Sequence, residues 1–104
     1  MTTEPMTTTR RAAAAIRKAG LTCVTGTPRA SDRSEAWVIG TDGYAVVINC
    51  QTHARMGFGC YGKPGYHEEK AKLTEEVMAA LKAAGIAFRR SPTPDQLFLS
   101  GYQL

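Results

Sequence analysis

Two eleven-residue stretches, Ala14 to Val24 (AAIRKAGLTCV) and Ala79 to Arg89 (AALKAAGIAFR), share small residues and a branched aliphatic at helical spacing, a terminating glycine and a strand-like apolar run. Glycine stops a helix because it enters the left-handed conformation without a Cβ penalty. A chain that twice passes from helix through glycine into strand must bury helices against a sheet, so an α+β fold is expected, with an internal α-β-β repeat. Residues 42–66 fall between the two copies as an insertion.

Period and turn chemistry give the elements. A helix is expected from about Thr9 to Ala19, with Ala12, Ile16 and Ala19 on one side and Arg10, Arg11, Arg17 and Lys18 on the other. Strands are expected over Leu21 to Thr25, Ala36 to Thr41 and Tyr44 to Gln51, the last two joined at Asp42-Gly43, a strong hairpin signal. Residues 55–61 read as a fourth strand, His67 to Ala84 as a second helix, and Ile86 to Arg90 and Gln96 to Ser100 as a closing pair. The expectation is an antiparallel sheet with two helices packed on it, in the order α-β-β-β-β-α-β-β. Its core is expected to hold Ile16, Leu21, Val38, Val46, Ile48, Val77, Leu81, Phe88 and Phe98.

With 104 residues, 43% hydrophobic and 21% charged, the chain has room for one domain with a modest core. Residues 1–8 are expected to be flexible and 9–104 to form that domain. The start, MTTEPMTTTRR, has no signal-peptide core, and no apolar run is long enough to cross a bilayer. A cytoplasmic protein with no membrane contact is expected, its three cysteines, Cys23, Cys50 and Cys60, reduced.

The stretch Gly57-Phe58-Gly59-Cys60-Tyr61-Gly62 satisfies the letters of the dinucleotide fingerprint G-x-G-x-x-G and, with Lys63 behind it, resembles a protein-kinase glycine-rich loop. Neither context follows. The glycines lie several residues past the preceding strand, Pro64 and Gly65 stand before any helix, and the chain is too short for the kinase metal-binding parts. Arg55 to Tyr61 also resembles the RNA-recognition-motif octamer, but Met56 intrudes, Cys60 stands where a second stacking aromatic belongs, and only Phe58 carries over. Read as a strand, the stretch sets Met56, Phe58 and Cys60 on one face and Gly57, Gly59 and Tyr61 on the other. Glycines repeated on one strand face leave room for another element or a partner.

Cys50, His53, Cys60 and His67 form an alternative set of metal donors, although hairpin geometry would spread them along the ladder. A Cys50 and His53 nucleophile pair lacks a third group to orient the histidine. Glu68, Glu69, Glu75 and Glu76 suit the early turns of the second helix through its dipole. No catalytic constellation, metal or cofactor is therefore expected.

The alanine- and arginine-rich texture, with AALKAAG before a strand, resembles small uncharacterised proteins of actinobacteria and of the phages that infect them. That resemblance implies an accessory protein acting by binding, and it transfers no functional residues. Two binding classes compete. In the first, another protein docks on the insertion through Phe58, Gly57, Gly59 and Tyr61, or on an exposed sheet edge. In the second, nucleic-acid phosphates meet the basic helix face, Arg10, Arg11, Arg17 and Lys18, with Arg29 and Arg33. The formal net charge of +4 sits wholly in residues 1–33, and the remainder is neutral, which favours the protein partner.

Overall fold

The structure, a computed structural model, describes residues 9–26, 33–41, 45–90 and 96–99. The chain runs α1 (Thr9–Lys18), β1 (Cys23–Thr25), β2 (Ala36–Thr41), β3 (Ala45–Cys50), α2 (His53–Met56), α3 (Tyr66–Ala83), β4 (Phe88–Arg90) and β5 (Gln96–Leu99). This is a single α+β domain in which α1 and α3 cover one face of a sheet ordered β1-β2-β3-β5-β4.

Both long helices end in the same way. Gly20 (φ +89°) follows α1 and Gly85 (φ +71°) follows α3. Past each glycine an apolar residue donates its amide back five residues, Leu21 to the Ile16 carbonyl at 3.3 Å and Ile86 to the Leu81 carbonyl at 2.9 Å. These are Schellman caps, which satisfy carbonyls the helix leaves unpaired and turn the next apolar side chain into the core. Leu21 and Ile86 are indeed buried. The letters shared by the two stretches therefore encode one capping motif used twice, each time before a three-residue strand at a sheet edge. The pairing that follows differs: β1 runs parallel to β2, whereas β4 runs antiparallel to β5.

That parallel pair corrects the purely antiparallel expectation. An antiparallel sheet would set β1 and β2 running in opposite directions, yet side chains line up the starting ends of the two strands. Thr22 donates its amide (3.0 Å) and its hydroxyl (3.2 Å) to Glu35 Oε1, and the Glu35 amide donates to the Thr22 hydroxyl oxygen at 2.8 Å. Ala36 adds a backbone bond to the Thr22 carbonyl at 3.1 Å. With the starts clasped, only a parallel register is open to β1. The β2 and β3 hairpin forms as expected, from Thr41↔Ala45 down to Ala36↔Cys50. Its turn, with Asp42, Gly43 and Tyr44, lies outside the described residues.

Core residues come from every layer: Ala12, Ala13 and Ile16 of α1, Leu73, Val77 and Leu81 of α3, and Val38, Val46, Ile48, Leu97 and Leu99 of the sheet. Ala13 takes the place expected for Ala19, which is exposed. Phe98 is also corrected. β5 pairs Ile48 with Leu97 and Val47 with Phe98, so Leu97 and Leu99 face the helices and Phe98 stands half-buried on the opposite face. Phe88 is half-buried as well, packed against the core.

Residues 55–61 are not a strand. Thr52 begins a turn that becomes α2, and the backbone then passes Gly57, Gly59, Gly62 and Gly65 with φ of +88°, +78°, +83° and +83°. A strand needs negative φ throughout, so this run of left-handed glycines rules out strand geometry. A Cβ built at any of the four would meet nothing within 4 Å. They serve the backbone path, which corrects the reading of Gly57 and Gly59 as places for close approach.

Candidate functional site

The winding segment between β3 and α3 is fixed from behind by Arg55, on the last turn of α2. Its Nε donates to Glu35 Oε2 at 2.6 Å and its Nη1 to Glu69 Oε1 at 3.1 Å, with Glu76 Oε2 also in contact with Nη1. Glu69 and Glu76 are seven residues apart, two turns along one face of α3, and Glu35 is the residue that clasps Thr22. One guanidinium thus joins the β1 and β2 starts, α2 and α3. Its fork is suited to this task because its donors lie in one plane and point in different directions.

The side chain of Arg55 is 18% exposed and that of Glu35 17%. Burial works to lower the Arg55 pKa, but the carboxylates of Glu76, Glu35 and Glu69 around the guanidinium outweigh it and hold the group above its usual range. Burial likewise works to raise the Glu35 carboxyl, and the Thr22 amide and the Arg55 guanidinium together bring it below the ordinary carboxylate range. Both groups are charged at neutral pH. Gln51 reinforces the same corner, its side-chain amide donating to the Ser34 carbonyl at 2.6 Å and its backbone amide to the Glu35 carbonyl at 2.8 Å.

On this base the glycine-rich loop and the first residue of α3 bury some side chains and present others. Cys60 (1% exposed) and Tyr66 (7%) point inward, while Phe58 (50%) and Tyr61 (72%) are the large hydrophobic side chains left exposed among the described residues. Phe58 stacks on His53, with ring centroids 4.7 Å apart and planes 19° off parallel, and the Arg33 guanidinium lies 5.5 Å from the Phe58 centroid. Tyr61 leans on Tyr66 at 5.2 Å, and Tyr66 meets His67 edge-on at 5.3 Å. Such ring contacts hold an exposed aromatic in place without covering it. Met56, Phe58 and Cys60 do not share a face, since Cys60 is buried and Phe58 is exposed.

The other expected residues separate. Among the described residues no group of three or more His, Cys, Asp or Glu side chains is placed to hold a metal ion, so Cys50, His53, Cys60 and His67 do not converge. Cys50 belongs to the sheet core and His67 is exposed. None of the three cysteines is in a disulfide. Burial pushes the Cys23 thiol up against the opposing charge of Arg17, the reverse of what an activated nucleophile needs. On α1, Arg11 donates to the Ala84 carbonyl at 3.3 Å and Arg17 to the Cys23 carbonyl at 3.0 Å. Half of the basic helix face is thereby engaged in tying α1 to the end of α3 and to β1. Arg10, Lys18 and Arg33 are exposed, and Arg29 lies outside the described residues. The Arg55 cluster carries no motif spacing; the one trace in the sequence is Glu69 and Glu76 on a common helix face.

The chain matches no protein-family model, no curated protein and no solved structure. Among the described residues no helix is long and apolar enough to cross a membrane.

Proposed function

We propose that the protein is a small, non-catalytic binding module, an accessory or inhibitor, that docks another protein through the aromatic loop carrying Phe58 and Tyr61. The observation that carries this reading is the contrast within one loop: two large aromatics are exposed while the backbone beneath them is tied by Arg55 to three other elements. Exposed aromatics on a rigid support are the usual anchors of protein interfaces, because little side-chain entropy is lost when they are covered. Three cysteines outside any disulfide fit a reducing compartment, and we propose a cytoplasmic location.

The nucleic-acid alternative keeps one favourable observation, the Arg33 guanidinium beside the exposed Phe58 ring. It is weakened by the engagement of Arg11 and Arg17 with backbone carbonyls. A photo-reactive phenylalanine analogue at position 61 tests the main reading, with the same analogue at the exposed Lys72 as control. A protein adduct formed from position 61 and not from 72, and abolished by Phe58→Ala, supports it; equal adducts from both positions refute it. Fluorescence polarisation with single- and double-stranded oligonucleotides supplies the competing result. Binding that falls steeply with salt and is lost in Arg10→Gln/Lys18→Gln, which spares the two structural arginines, would favour nucleic acid.

A further inference from the structure

Among the described arginines, Arg33 stands apart. Arg11 and Arg17 donate to the backbone carbonyls of Ala84 and Cys23, and Arg55 meets three carboxylates. Arg33 is exposed, joins no ion pair among the described residues, and holds its guanidinium over the Phe58 ring, 5.5 Å from the centroid. A cation–π contact orders a guanidinium without engaging its N–H donors, so the fork remains able to take an anion.

The supports of this pair are fixed. Gln51 ties down the backbone just after Arg33, its side-chain amide donating to the Ser34 carbonyl at 2.6 Å and its backbone amide to the Glu35 carbonyl at 2.8 Å. Phe58 rests on His53 with ring centroids 4.7 Å apart. Farther along, the Lys63 amide donates to the Cys60 carbonyl at 3.0 Å, closing a turn with Tyr61 and Gly62 (φ +83°) at its corners. A left-handed second corner is the mark of a type II turn, and it sets Tyr61 on the outside of the bend.

Charge around these rings is one-sided. From Thr52 to His67 the sequence contains no aspartate or glutamate. The carboxylates packed behind the loop, Glu35, Glu69 and Glu76, are all turned onto Arg55. Lys63, like Arg33, is exposed and in no ion pair among the described residues. A nucleic-acid strand, charged at every nucleotide, asks for a row of cations. A cation set on an exposed aromatic asks instead for one anionic group beside an apolar one.

We propose that the segment docked by the aromatic loop is acidic: one of its carboxylates takes both prongs of the Arg33 guanidinium while a neighbouring aliphatic side chain covers Phe58 and Tyr61. The planar fork of arginine matches a carboxylate in this way, and the Phe58 contact supplies its orientation before the partner arrives. This inference rests on the docking role of the loop and adds the chemistry of the partner.

The test is a titration of the 15N-labelled full chain, followed by amide chemical shifts, with a blocked hexapeptide alternating aspartate and leucine. Saturable shifts centred on residue 33 and residues 57–63, at an affinity of about 1 mM or tighter, are expected. Arg33→Gln should weaken binding about five- to tenfold and flatten its salt dependence, while Arg10→Gln/Lys18→Gln leaves both unchanged. Unaltered shifts of the β2 and β3 amides in each variant verify the fold. Equal binding of the asparagine counterpart, or undiminished binding by Arg33→Gln, overturns the acidic specificity. The same shifts from acetate alone, or tighter binding of an oligonucleotide at the same residues, overturns the choice of a protein segment. Photo-crosslinking from position 61 decides the docking role by itself, so a protein adduct formed there while the acidic peptide fails to bind refutes the acidic partner alone.

Discussion

Replacing Arg55 by methionine keeps an unbranched apolar stem, shorter than the arginine side chain, and removes every charged contact that Arg55 makes at this corner of the molecule. The Glu35 pair is the better shielded, with 18% and 17% of the two side chains exposed, and a charge-assisted bond of this kind contributes about 1.5–3 kcal/mol. Glu69 and Glu76, 30% and 43% exposed, sit closer to the surface limit, about 0.5 kcal/mol each. The expected loss is therefore about 2.5–4 kcal/mol, a large share of the roughly 5–15 kcal/mol that holds a domain together. In urea the midpoint should fall by about 2 M or more for a slope near 1–1.5 kcal/mol/M. Arg55→Lys keeps the charge but not the fork, and should recover about half of the loss. Amides of residues 57–63 should exchange faster in both variants, since their local opening is no longer opposed from behind. A cost under about 1 kcal/mol for Arg55→Met, or no coupling in a double-mutant cycle with Glu35→Gln, would refute the bridging role of Arg55.

Glu35 sets a pH dependence of known sign. Its carboxyl is held below the ordinary carboxylate range, so its contribution is complete above about pH 4.3 and is lost as pH falls through the lower folded value; Glu35→Gln should flatten the acid limb of the stability profile and leave its alkaline limb unchanged. Gly59→Ala should cost about 1 kcal/mol from left-handed strain alone, since the added methyl meets open space, and a D-alanine at the same position should cost nothing; a loss above about 3 kcal/mol would show a steric role instead. Leu97→Ala should destabilise by about 2–5 kcal/mol and Phe98→Ala by clearly less, measured by urea unfolding, because the first empties the core and the second only thins the opposite face; the reverse order would refute the β5 register.

What could be seen in the letters followed how local the governing physics was. The helix ends were legible because a Schellman cap is written in consecutive residues, small residues then glycine then an aliphatic, and both copies fold as that grammar demands. The antiparallel pairing of β2 with β3 was legible because two short apolar runs stand close together in the chain. Phe98 was misplaced because Gln96-Leu97-Phe98-Leu99 gives an alternating pattern whose phase is set by pairing with Ile48, a partner almost fifty residues away. The parallel β1 and β2 pair was hidden because its cause is a bracket between Thr22 and Glu35, neither of which stands out by type. Residues 55–61 misled because glycines at alternate positions mimic a bare strand face, whereas their shared property is positive φ.

Arg55 was the least visible of all, yet it decides what the exposed loop can do. A loop built on four left-handed glycines has little intrinsic stiffness, because glycine forfeits more conformational freedom on ordering than any other residue. Left to itself, such a loop would present Phe58 and Tyr61 in many orientations and would pay the ordering cost on meeting a partner. The Arg55 bridge moves that cost into folding, where the core of two helices and five strands supports it. If the loop docks a protein as proposed, weakening the bridge should therefore lower that affinity even though Arg55 itself is largely covered. Arg55→Lys, which is expected to stay folded, is the variant that separates the two effects: a slower association with unchanged contacts at Phe58 and Tyr61 marks lost preorganisation, whereas an affinity equal to that of the parent chain would mean the aromatics carry their orientation on their own, through the His53 and Tyr66 rings beneath them.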